Sequence, residues 1–106
     1  MININDLRQL CNDTSIAMTN HAKNRLHERN ITIDGLKNAI MTGEIFEQYE
    51  DDKPFPSCLL LGKNENGLSI HMVASIGDEF LYVITAYYPD EEEWESDLKT
   101  RKEQNK

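Results

Sequence analysis

The chain has 106 residues, 39% of them apolar and 28% charged, with a formal net charge of −8. This length fits a single domain over 1–106, with its core at about 15–94 and a C-terminal helix end and tail at 95–106; the composition excludes a disordered or disulfide-dense chain. No apolar run approaches the ~20 residues of a membrane span, and the opening MININDLRQL lacks the pattern of a secretory leader, so a cytoplasmic protein without a membrane partner is expected.

Along the chain, Asn5 is a candidate cap for a first short helix that carries Leu7, Leu10 and Cys11 on one side. Asp13 and Thr14 read as a turn, and Ser15–Thr19 as a short strand with Ile16 and Met18 inward. Thr19 or Asn20 can cap a helix over 20–29 that buries Ala22 and Leu26. A second helix follows at once, capped by Thr32, with Ile33, Leu36 and Ile40 as its apolar stripe and Gly43 at its stop. Together they predict an αα-hairpin.

From residue 44 the apolar period changes from 3.6 to 2. Strands are predicted at Ile45–Glu50, Ser57–Lys63, Leu68–Ile76 and Phe80–Tyr88, with breaks at Pro54–Pro56, the NENG turn and a three-residue loop, Gly77–Glu79. The third of these places Leu68, Ile70, Met72, Ala74 and Ile76 on one face and Ser69, His71, Val73 and Ser75 on the other. Beyond Pro89, Asp90 and Glu93 have capping-box-like spacing, so a short C-terminal helix through Trp94 and Leu98 is expected, its last residues frayed. The fold class is therefore α+β: a helical hairpin packed on a four- to five-stranded, mainly antiparallel sheet.

Charge is uneven. Residues 1–43 hold five Lys/Arg against four Asp/Glu, and residues 44–106 hold six against fifteen, so a phosphate-binding surface belongs in the first half. His21, Arg25 and Arg29 recur every four residues and share one helix face. Arginine suits phosphate through paired, charge-assisted hydrogen bonds, and a neutral histidine in a first helical turn suits a general base. The alternative is a solvated face whose arginines pair with Glu28, Asp34 or the acidic C-terminal segment. His71 and Tyr87 form a second constellation on the sheet face away from the core, able to donate a proton or stack on a base, or else simply half-buried. If Ile76 pairs with Phe80, His71 lies opposite Thr85. Around Trp94, Asp90–Asp97 either contacts a basic partner or docks on the core. No CxxC, HxxxH or phosphate-loop spacing occurs, so no metal or cofactor is expected, and Cys11 and Cys58 are expected to be unbridged.

Two strings carry a likeness. Thr19-x-His21-Ala22-x-x-Arg25-x-x-x-Arg29-x-Ile31 and Val83-Ile84-Thr85-Ala86-Tyr87 together resemble a bacterial family known as domain of unknown function 4258. The order of elements in that family is similar to the RelE/ParE toxins: an αα-hairpin on an antiparallel sheet. The resemblance implies a toxin-like, metal-independent endoribonuclease with an RNA substrate and a small antitoxin partner. His21 would act as base, Arg25 and Arg29 would stabilise charge on phosphate, and His71 or Tyr87 would protonate the leaving oxygen. This chain departs from the toxins in its acidity, and in the acidic C-terminal segment where they carry catalytic groups. The alternatives are a non-catalytic module on the same fold that binds a basic protein, and a different hydrolytic or transferase activity between hairpin and sheet.

Overall fold

A computed structural model describes residues 1–103. The order is α1 (Ile4–Gln9), β1 (Ile16–Ala17), α2 (Asn20–Glu28), α3 (Ile33–Thr42), β2 (Glu44–Tyr49), β3 (Ser57–Lys63), β4 (Ser69–Gly77) and β5 (Phe80–Tyr87). The helices start at side-chain caps. Asn3, rather than Asn5, accepts from the Asn5 backbone N–H, Thr19 accepts from Ala22 and Thr32 from Gly35. The five strands form one sheet in the order β1-β5-β4-β3-β2, with β1 parallel to β5 and the rest antiparallel. The fold is thus the expected α+β class. No helix among the described residues is long and apolar enough to cross a membrane.

The helices cover one face. Leu26 from α2 and Leu36, Ala39 and Ile40 from α3 join Leu60, Ile70, Met72, Ala74, Leu81, Val83 and Ala86 in one buried cluster, with Leu7 of α1 closing it. Arg8 fastens α1 to the end of α3 by donating to the carbonyls of Ile40 and Gly43, where a helix leaves acceptors free. Cys58 lies in the core and Cys11 at its edge, both as free thiols.

Four expectations need correction. Ile33 is 42% exposed because the first turn of α3 overhangs the cluster, where Ile33 lines a shallow groove with Ile16 and Met18. Leu68 is exposed because β4 begins one residue later. The loop between β4 and β5 has two residues, not three: Asp78 and Glu79, both at positive φ (51° and 68°), while Gly77 pairs with Phe80. Five residues on, the register shifts again. Ala74 pairs with Val83 but Val73 with Thr85, so Ile84 is the extra residue of a bulge and turns outward, 47% exposed. His71 consequently faces Tyr87, not Thr85.

The largest correction is at the C-terminus. After one turn, in which Glu93 and Trp94 donate to the Asp90 carbonyl, no helix forms. The chain folds back on itself instead: Glu95 donates to Thr100, Lys102 to Glu93, and Trp94 bridges to Arg101. Asp97 caps this return by accepting from Lys99 and Thr100. The fold-back lets Trp94 reach the open face of the sheet, where it is buried. The expected tail falls partly on 104–106, outside the described residues.

Candidate functional site

On the helical layer, His21 and Arg25 are exposed, and Arg25 pairs with Glu28 at 3.2 Å, one of the partners anticipated for a solvated face. Arg29 differs. It lies just past α2, and its Nη1 donates to the Ala86 carbonyl (2.9 Å) and the Thr85 hydroxyl (3.3 Å) on β5. That contact is possible because β1 pairs only with Leu81 and Tyr82, leaving the rest of β5 open at the sheet edge. Among the described contacts none uses Arg29 Nη2 or Nε, so half of the guanidinium fork is free to meet an anion.

On the face away from the helices, His71 is fully buried. Its Nε2 lies 2.6 Å from the Leu98 carbonyl, which can only accept, so Nε2 carries the proton. Nδ1 then accepts from the Tyr87 hydroxyl at 3.2 Å. Around the imidazole stand Trp94, edge-on at 4.5 Å, with Phe46 and Tyr87 each at 5.3 Å. Burial pushes the His71 pKa down, against the opposing pull of the Leu98 hydrogen bond, and burial raises that of Tyr87. The imidazole is therefore neutral and the phenol protonated at neutral pH.

The C-terminal segment that seals this face is tied to β2. Lys99 pairs with Glu44 at 3.0 Å, Arg101 pairs with Glu47, and Arg101 also lies over the Trp94 ring at 4.7 Å. Burial would raise the Glu47 pKa, but the bonds from Arg101 and Tyr49 outweigh it and hold the carboxyl low. Every buried side-chain nitrogen and oxygen among the described residues has a partner.

The structure brings His71 and Tyr87 together and sets Arg29 at the end of the same strand. It does not bring His21 to His71, because the sheet lies between them. No ion pair among the described residues joins Asp90–Asp97 to Arg25 or Arg29. Sequence reasoning missed three members of the site. Phe46 reaches His71 because a bulge between Ile45 and Glu47 leaves it unpaired, and nothing in the local pattern marks that bulge. The Leu98 carbonyl and Thr85 contribute through backbone and register, which side-chain patterns do not record. Among the described residues no three His, Cys, Asp or Glu side chains group as metal ligands.

Arg29 and Thr85 belong to the two strings singled out above, and their contact joins a helix end to a strand distant in sequence. The model of a family described as "Domain of unknown function (DUF4258)" matches residues 18–88, which spans both strings. The chain belongs to the DUF4258 family. No curated protein and no solved structure matches it. The DUF4258 region ends just after β5, so Trp94, Leu98 and Arg101, which close the His71 face, lie outside the matched residues.

Proposed function

We propose that this DUF4258 protein is a toxin-like RNA-binding domain that cleaves RNA without a metal, with Arg29 as its phosphate ligand. The observation that carries the reading is the seating of Arg29, held by Thr85 and Ala86 through one nitrogen with the rest of the fork unused. A guanidinium fixed on one side and open on the other is preorganised for a phosphate whose charge grows during reaction. The 2′-oxygen would attack phosphorus as the bond to the 5′-oxygen breaks, leaving a 2′,3′-cyclic phosphate and a free 5′-hydroxyl. His21, on the Arg25–Arg29 stripe, would take the 2′-hydroxyl proton. The leaving 5′-oxygen would take its proton from water, because Tyr87 shares the His71 face of the sheet, away from His21. A small antitoxin protein is the expected binding partner of such a domain.

The test is incubation of the full chain with a mixed-sequence RNA in EDTA. Cleavage to cyclic-phosphate ends, reduced roughly 100-fold or more in Arg29→Ala, is expected. Cleavage that stops on chelation and returns with magnesium, or that is unchanged in Arg29→Ala, overturns the reading.

A second reading, a non-catalytic module that binds a protein, has one observation in its favour. An apolar groove of about 430 Å³ runs past Met18, Phe55, Tyr82, Val83 and the outward-turned Ile84. A bound protein that protects these residues from hydrogen exchange, in a chain inert toward RNA, would make this the better account.

A further inference from the structure

The segment over the second face of the sheet, residues 90–102, holds its position through contacts of two strengths. Inside, Trp94 packs edge-on against both His71 and Phe46, at 4.5 and 6.0 Å, and the Leu98 carbonyl accepts from His71 Nε2. To present that carbonyl, Leu98 adopts φ 59°, a left-handed conformation that residues with a branched side chain seldom take. Outside, the segment is pinned to β2 by Lys99–Glu44 and Arg101–Glu47. Lys99 and Glu44 are each more than a third exposed, so that pin is weak and screened by salt, whereas Glu47 is only 24% exposed and its pairing with Arg101 is firmer. The inner contacts are specific, and the outer ones depend on two carboxylates of β2.

What the segment covers is a row of aromatic rings, Phe46, His71 and Tyr87, with Arg29 at the end of β5 beside it. Such a row offers stacking surface to unpaired bases. The segment itself carries Asp90, Glu91, Glu92, Glu93, Glu95 and Asp97 around a single indole. Spaced negative charge with a flat ring is also the chemistry of single-stranded nucleic acid.

We propose that residues 90–102 are an autoinhibitory strap standing in for single-stranded RNA: Trp94 occupies the place of a stacked base and the Leu98 carbonyl that of a substrate oxygen on His71. This rests on the RNA reading above and adds its regulation. Lifting the strap would expose Phe46, His71 and Tyr87 as one surface continuous with Arg29.

The test uses two full-length variants. Glu44→Gln combined with Glu47→Gln removes both pins and leaves Trp94 in place. Trp94→Ala removes the plug, and thermal melting checks that it folds. Reaction of His71 with diethyl pyrocarbonate, resolved from His21 and His27 by peptide mass, reports opening. Fluorescence anisotropy of a labelled eight-nucleotide oligouridine at low salt reports binding. Opening should raise His71 reactivity and RNA affinity together, each by about tenfold, an affinity change worth about 1.4 kcal/mol. A His71 that stays protected in both variants shows a fixed structural cover and overturns the strap. So does a His71 that becomes reactive with no gain in RNA affinity. If binding is then the same in all forms but lost in Arg29→Ala, the RNA reading stands and only the strap fails. No binding by any form, opened ones included, sinks both.

Discussion

His71 is neutral because burial beneath Trp94 penalises a charge, and this outweighs the Leu98 hydrogen bond, which favours one. The folded-state pKa is therefore below its ordinary 6.5, and the unfolded chain takes up the proton first. The stability His71 contributes is present above pH 6.5 and is lost as pH falls below that value toward the folded one. Thermal melts from pH 7 to 5 should show a falling midpoint, with a shallower fall in His71→Gln; equal slopes would mean that another group governs this window. Glu47 follows at more acid pH. Its lowered pKa means that its stabilising pairing is present above 4.5 and is lost as pH drops below. At this scale the sequence was informative about residue types. Thr19 and Thr32 were readable as caps because a cap is a local hydrogen bond. The burial of His71 was not, because the cover comes from residues more than twenty positions away.

At the scale of elements, the α3 stripe and the β3 surface fit closely. Ile40 is fully buried in the central cluster, and Ile40→Ala should cost about 2–5 kcal/mol in a denaturant titration. A cost under about half a kcal/mol would mean that the core collapses around the gap or that the helix is loosely seated. At Gly62 the backbone of α3 comes so near that a Cβ would collide with Ala39. Gly62→Ala should destabilise by about 1–3 kcal/mol through overpacking, while the same change at Gly67, in open space but at φ 80°, would act only through backbone conformation. Equal effects at the two positions would argue against the close approach of helix and strand. The element boundaries were largely legible from periodicity, and Ser57–Lys63 matches residue for residue. Registers were not: the bulges at Phe46 and Ile84 each move one residue to the other face without altering the alternation around them.

Over the whole molecule, the modestly basic first half packs on the acidic second half through α3 on β3 and through β1 and α2 on β5. If RNA binds through Arg25 and Arg29, few phosphates are neutralised, so the logarithm of affinity should fall with the logarithm of salt at a slope of about −1 to −2. Binding measured between 50 and 200 mM salt that does not weaken would show that stacking alone holds the ligand. A much steeper slope would place additional cations at the interface.

The sequence by itself determined the α+β class, the starts of α2 and α3, the core stripe of Leu36, Ile40, Ile70 and Met72, and the two strings that mark the family, because each is set by local periodicity, capping chemistry or residue identity. The tertiary structure decided the rest. It tied Arg29 to Thr85 across 56 positions of chain. It also turned an expected helix into a strap over His71. A capping box favours the first helical turn by only about a kilocalorie. Burying an indole against an imidazole and a phenyl ring outweighs that, and it is a contact that exists only once the sheet has formed.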